Sequence, residues 1–173
     1  VTQAAGYSLA WFQENIGTEY ARKAKEQGCG AFDLINADVQ KTPIGANRLI
    51  YLPYLNGERT PHVDPNCRGV FFGLSSMHTT ADMARAVMEG IQYSLTDCND
   101  IIKEMGIEVS EMMACGGGAK NAVQRQMMAD MFGCDVKTVT ATEGPALGVA
   151  ILAGVGAGLY ESVESACRQM IHT

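Results

Sequence analysis

Met113-Ala114-Cys115-Gly116-Gly117-Gly118-Ala119-Lys120-Asn121 leads from an apolar, strand-like run through three consecutive glycines into an amphipathic helix pattern. Glycine costs backbone entropy, so a run of three marks a place where side chains would obstruct something. Two uses compete: a bare backbone surface against which a planar ligand lies, or a tight strand-to-helix turn. The strand–turn–helix setting suits a nucleotide, because a helix N-terminus offers free N–H groups and positive potential. The spacing is neither Gly-x-Gly-x-x-Gly nor Gly-x-x-x-x-Gly-Lys-Ser/Thr, which excludes the Rossmann fingerprint and the P-loop. Asn121 reads either as an N-cap or as a hydrogen-bonding group for a base or ribose. Lys120 reads as a solvated first-turn lysine or a phosphate contact.

Around this run, residues 111–115 and 135–140 read as strands and residues 121–131 as the helix between them. Thr142-Glu143-Gly144-Pro145 reads as a turn into another helix, with Pro145 near its first position. That helix carries Ala146, Gly148, Ala150, Ala153 and Gly154, a bare face suited to close packing against another backbone. Residues 161–170 form a last helix. Upstream, Thr79 and Asp82 make a capping-box start. Met83, Val87, Ile91, Leu95, Cys98, Ile102 and Met105 then hold one stripe of a long helix, read as core packing, up to a C-terminal Gly106. Arg85 and Glu89 read as a surface i,i+4 pair worth a few tenths of a kcal/mol. Residues 4–15 and 18–27 read as helices, with Gly28 and Gly30 closing the second. A looser segment with Pro43 and Gly45 follows, then strands at 49–52 and 70–74. The order of elements predicts an α/β sandwich with right-handed crossovers.

At 173 residues, 47% hydrophobic and 18% charged, the chain has the composition of a folded globular protein. Its net charge of -6 argues against a nucleic-acid backbone as partner. The six cysteines, Cys29, Cys67, Cys98, Cys115, Cys134 and Cys167, contain no Cys-x-x-Cys pair and read as buried free thiols of a reducing cytosol. The apolar, glycine-rich stretch 144–160 falls short of the roughly 20 residues needed to span a bilayer and reads as a buried helix. The start has no signal-peptide pattern and no initiator Met, which suggests a piece of a longer protein.

Other residues are weaker candidates. Glu58, Arg59, His62 and Asp64 share a polar loop, 56–69, where they either form a reactive cluster or lock the loop's shape. No second His stands at metal-ligand spacing. Ser75 and Ser76 before His78 lack the Gly-x-Ser-x-Gly elbow of a hydrolase. His172 reads as solvated. Gly6, with Ala4 and Ala5, permits close approach by a backbone or ligand, and Trp11 reads as a packing residue.

The run Tyr51-Leu52-Pro53-Tyr54-Leu55-Asn56-Gly57-Glu58-Arg59-Thr60-Pro61-His62, followed by Asp64-Pro65-Asn66-Cys67-Arg68-Gly69-Val70-Phe71-Phe72-Gly73-Leu74, resembles the signature of xylulose kinases within the FGGY carbohydrate kinases. The resemblance continues through Arg85-Ala86-Val87-Met88-Glu89-Gly90, the glycine run, Met128-Ala129-Asp130 and Glu143-Gly144-Pro145-Ala146-Leu147-Gly148. It implies an α/β, ribonuclease-H-like (actin-like ATPase) fold, with residues 1–173 as the C-terminal nucleotide-binding domain, incomplete at its N-terminal strands. It further implies ATP with Mg²⁺ at the phosphates, with Gly116, Gly117, Gly118 and Asn121 lining adenine and ribose and Gly6 approaching the nucleotide. Four residues on, a position often polar in glycerol kinases is Ala10. The sugar pocket, the general-base Asp and the phosphate loop are expected outside this chain, which would be inactive alone. The implied reaction converts D-xylulose and ATP to xylulose 5-phosphate and ADP in the cytoplasm, with no nucleic acid or membrane partner and a homodimer as candidate assembly. Gluconate is the alternative sugar. A non-catalytic nucleotide-binding or assembly module of the same fold is the competing class, and a chain that binds no nucleotide but folds or dimerises is the third.

Overall fold

The computed structural model describes residues 2–139 and 144–172. Three helices lead the chain: α1 (Ala5–Asn15), α2 (Thr18–Gln27) and α3 (Ala31–Lys41). Each buries a narrow stripe: Ser8 and Phe12 from α1, Tyr20 and Ala24 from α2, Ile35 and Val39 from α3. Gly28 ends α2 at φ 68°, the left-handed cap that a Cβ would strain. α3 occupies the segment that reads as loose in the sequence, and Gly30 opens this helix rather than closing α2. The Gly30 N–H donates to Asp33 Oδ2 at 3.0 Å, so an acidic third residue caps the start where no Ser or Thr stands. Ala31, Ile35 and Val39 supply the i,i+4 stripe that docks it.

A short antiparallel pair follows, β1 (Ile50–Leu52) with β2 (Val70–Phe72), in register Ile50 with Phe72, Tyr51 with Phe71 and Leu52 with Val70. Tyr51 points inward, its ring 4.7 Å from that of Phe71. Behind the pair runs α4 (Thr80–Glu104), about 37 Å long at 1.5 Å per residue. Its start is the expected capping box. Asp82 Oδ2 accepts from the Thr79 N–H at 2.7 Å and from its hydroxyl at 2.6 Å, while Oδ1 accepts from Asn47 Nδ2 at 2.8 Å. Burial opposes ionisation of Asp82, but these hydrogen bonds and the nearby His78 outweigh it and hold the carboxyl below its ordinary range. A group whose pKa falls on folding stabilises above its unfolded pKa and loses that contribution as pH drops through the folded value. Asp82→Asn is therefore expected to lower Tm by about 2–4 °C at pH 7, with the gap to the parent closing toward pH 3. Thermal melts across that range check both halves of the expectation.

The core gathers Phe12, Tyr20, Ile35, Val39, Leu49, Tyr51, Ala84, Val87, Met88, Ile91 and Met127. The stripe of α4 serves this core only along its first half. Ile102 and Met105 are 38% and 71% exposed, so the helix outruns the elements that cover it. Arg85 and Glu89, expected at the surface, are buried instead. Arg85 Nε donates to Glu89 Oε1 at 2.7 Å, and its Nη1 donates to the carbonyls of Val39 and Thr42, each at 3.0 Å. The docking of the C-terminal end of α3 onto α4 removes this pair from water.

Downstream, β3 (Glu111–Ala114), α5 (Ala122–Phe132) and β4 (Asp135–Thr138) form a β–α–β unit with the two strands parallel, Glu111 opposite Asp135 and Ala114 opposite Thr138. Among the described residues the crossover pattern is confined to this unit, because the β1–β2 pair forms its own sheet. The helices α6 (Gly144–Gly156) and α7 (Val163–Met170) close the order. Thr142 and Glu143 of the expected turn lie outside the described residues. α6 is not the buried helix that its composition suggests: Val149 and Leu152 are exposed. Of its small-residue face, Gly154 lies against the ring of Tyr160, whereas a Cβ on Gly148 would meet nothing within 4 Å.

Candidate functional site

The glycine run turns where β3 ends. Gly116, at φ 81°, makes the reversal, and Gly117 and Gly118 continue into a short 3-10 turn before α5. Asn121 caps α5 through Oδ1, which accepts from the N–H of Val123 at 2.9 Å and of Gln124 at 3.5 Å. Its Nδ2 donates to Asn36 Oδ1 at 2.6 Å. Arg125 Nη1 donates to the Ala119 carbonyl at 2.6 Å and fixes the turn from behind.

This turn forms one wall of a cavity of about 830 Å³, within the size range of small-molecule sites. Gly6 and Ala10 of α1 stand on its lining with Gly117, Gly118, Lys120 and Asn121. These residues are separated by more than a hundred positions in sequence and are brought together by α4, which packs against both α1 and α5. The bareness of the wall is specific: a Cβ at Gly6 or Gly117 would meet nothing within 4 Å, so both backbones face open space. Gly118 differs, since a Cβ there would come within 2.9 Å of Gln124 Oε1. Gly116 makes the turn and does not itself line the cavity.

Much of the remaining wall comes from residues that the sequence does not mark as a site. Phe32, Asp33 and Asn36 come from α3, and Ile91, Gln92 and Leu95 from α4. The signal for the α3 residues was that helix's amphipathic pattern, hidden between Gly28, Gly30 and Pro43, whereas Ile91 and Leu95 belong to the α4 stripe that reads as core packing. Apolar side chains and a few amide groups share the lining, the composition of a small-molecule pocket. Lys120 and the Asp33 carboxylate place one charge of each sign on the lining.

The polar loop 56–69 is held by its own contacts. Glu58 is buried, and its Oε1 accepts from the N–H groups of Gln3 and Arg59, both at 2.7 Å. The backbones of Glu58 and Asp64 exchange hydrogen bonds at 2.9 and 3.0 Å, and Asp64 Oδ1 accepts from the Asn66 N–H at 2.7 Å. His62 Nε2 pairs with the Tyr54 hydroxyl at 3.0 Å. A Cβ on Gly57, at φ 80°, would lie 2.7 Å from the Pro65 Cα. Shape-locking is the role these partners define. Ser75 and His78 likewise close a turn, with the Ser75 N–H donating to Nδ1 at 2.9 Å and Nε2 paired with the Asn47 carbonyl at 3.1 Å. Trp11 packs beside the core. No disulfide joins the cysteines among the described residues, yet none of them is fully buried, and Cys29 and Cys115 are exposed. Cys115 sits at the rim of the cavity, where β3 gives way to glycine. Among the described residues no group of three His, Cys, Asp or Glu side chains could hold a metal ion, and no helix is long and apolar enough to cross a membrane.

Residues 1–157 match the model of the FGGY family of carbohydrate kinases, C-terminal domain. Over 171 residues the chain is 43% identical to the xylulose kinase of Staphylococcus epidermidis, covering 99% of this chain and 32% of that protein. The crystal structure of ligand-bound xylulose kinase from Lactobacillus acidophilus superposes with a TM-score of 0.82 at 30% identity, over 99% of this chain and 33% of that one. Gluconate kinase from Lactobacillus acidophilus superposes with a TM-score of 0.71 at 35% identity, over 83% of this chain and 29% of that one. The chain belongs to the FGGY carbohydrate kinases and has their ribonuclease-H-like α/β fold, with helices predominating. It spans about a third of the length of these relatives.

Proposed function

We propose that this chain is the nucleotide-binding, C-terminal part of an ATP-dependent kinase for D-xylulose, and that its cavity takes the adenosine end of ATP. The supporting observation is the cavity itself, where the bare backbones of Gly6 and Gly117 face open space beside Gly118 and Asn121. On this reading the adenine lies against the glycine backbone between the apolar faces of α1, α3 and α4. Asn121 orients it with the amide proton left over after bonding Asn36. Gly116 contributes the turn that keeps the wall free of side chains. The phosphates extend out of the cavity, and Mg²⁺ travels with them rather than with carboxylates of this chain. Phosphoryl transfer needs in-line positioning, neutralisation of the phosphate charge and a base to orient the sugar hydroxyl. This chain would supply part of the positioning. The sugar pocket and the general-base Asp would lie in the rest of the kinase, which would be a cytoplasmic protein.

Similarity to gluconate kinase keeps gluconate as the second sugar, although greater coverage and structural agreement favour xylulose. Titration of the chain with ADP tests the site directly. The amide resonances of Gly117 and Asn121 are expected to move in a saturable way, and no movement at saturating ADP would remove the site. Gly117→Leu sharpens the test. Gly117 has right-handed helical backbone angles, φ -62° and ψ -40°, so the substitution places a side chain in the open space without straining the backbone. ADP affinity should fall at least about tenfold while Tm stays within a few degrees of the parent.

A further inference from the structure

Phe32 breaks the pattern of α3. That helix buries Ile35 and Val39, yet Phe32, its largest apolar side chain, is 43% exposed and lies on the lining of the cavity. At about 100° per residue, Phe32, Asn36 and Asp33 share one arc of the helix, with Asn36 between the other two and the buried stripe on the far side of Phe32. Asn36 Oδ1 accepts from Asn121 Nδ2 at 2.6 Å, so this arc meets the glycine turn. Phe32 stands one helical turn from that contact, about 6 Å along the axis. Among the described residues it is the one aromatic side chain on the lining. We propose that Phe32 is the stacking platform of the site: its ring lies against one face of the adenine, whose other face rests on the backbone of Gly117 and Gly118.

An apolar ring left half in water adds little burial to the ligand-free fold, and a nucleobase supplies the cover that the protein does not. Single exposed apolar residues are common on protein surfaces and carry no meaning by themselves. This one differs by its place, on a cavity with another wall of bare backbone at Gly117. Stacking engages the π-face, which every base has, so the role requires no particular order of donors and acceptors on the base. The neighbouring charge agrees with it. Asp33 Oδ2 accepts from the Gly30 N–H, and its carboxylate, on the same arc as Phe32, repels phosphate and leaves this end of the cavity to the uncharged end of a nucleotide. The inference rests on the adenosine reading of the cavity and adds the side chain that holds the base.

The test measures ADP binding by calorimetry for the parent chain and for Phe32→Tyr, Phe32→Leu and Phe32→Ala, with a thermal melt of each ligand-free protein. Phe32→Tyr keeps the π-face and should bind as the parent does. Phe32→Leu and Phe32→Ala should each lose about tenfold in ADP affinity. Their ligand-free Tm should stay within about 2 °C of the parent, because the ring is outside the core cluster. Phe32→Trp adds a direct readout: its indole emission should be quenched saturably by ADP, beyond any change that Trp11 shows in the parent. Parent-like ADP affinity in Phe32→Leu or Phe32→Ala, or a Phe32→Trp emission that saturating ADP leaves unchanged, would overturn the stacking role and leave the adenosine site standing. A fall in ligand-free Tm with unchanged affinity assigns Phe32 to packing and overturns the proposal. A parent that binds no ADP overturns both readings.

Discussion

Arg85→Ala should lower the unfolding free energy by about 3–5 kcal/mol, which urea denaturation would register as a large drop in midpoint at nearly constant slope. The magnitude follows from what the substitution strands. Glu89 is 2% exposed, and its Oε1 accepts both from Arg85 Nε at 2.7 Å and from the Gly45 N–H at 3.0 Å. Without Arg85 that carboxylate remains in the interior with one neutral donor. The carbonyls of Val39 and Thr42 lose their shared guanidinium at the same time. Removing both charges in Arg85→Met/Glu89→Leu should restore most of the loss, because a paired buried charge and an apolar replacement differ little. A loss below about 1 kcal/mol for Arg85→Ala would place the pair in solvent. The consequence reaches the cavity, since Arg85 clamps the C-terminal end of the helix that carries Asn36 and Asp33. ADP affinity should fall along with stability.

The contrast between that pair and its i,i+4 spacing shows where sequence patterning stops. Spacing places Arg85 and Glu89 beside one another on one helix, but only the arrival of α3 decides whether they meet water. Local signals were legible wherever the controlling forces are local. Thr79 and Asp82 announce the capping box, Gly28 and Gly106 the left-handed ends, and Asn121 the cap of α5. α3 escaped notice because Gly28, Gly30 and Pro43 at its ends punctuate like a loop, although its Ile35–Val39 stripe is helical. The glycine run was legible because bare backbone leaves a compositional trace. Gln92 and Asn36 left none, since an ordinary amide becomes a lining residue only when α1, α3, α4 and α5 converge. The Glu58 loop was chemically conspicuous and is held in shape by its own hydrogen bonds, with Glu58 Oε1 on two backbone N–H groups and Oε2 buried without a hydrogen-bond partner among the described residues.

Gly90→Ala carries the other large effect, and its sign reverses the usual expectation. A glycine inside a helix costs up to about 1 kcal/mol relative to alanine, so the change should ordinarily stabilise. Here the added methyl carbon would stand 2.1 Å from the Tyr51 carbonyl oxygen, 3.0 Å from its carbonyl carbon and 3.3 Å from its Cβ. The nearest obstacle is backbone, so no rotamer change relieves it, and α4 must lift from β1. That displacement would open the contacts of Tyr51 with Phe71 and Ser8 and shift Ile91 and Gln92, the next two residues of the cavity wall. Gly90→Ala should therefore destabilise by about 3 kcal/mol, the upper end of ordinary overpacking costs, and weaken ADP binding. Gly148→Ala is the matched control: it is also helical, a Cβ there would meet nothing within 4 Å, and it should stabilise by about 0.5–1 kcal/mol. Urea melts of the two variants side by side read the difference. Equal shifts would mean that α4 does not rest on the Tyr51 backbone, and with that contact would go the geometry that sets Ile91 and Leu95 beside the cavity.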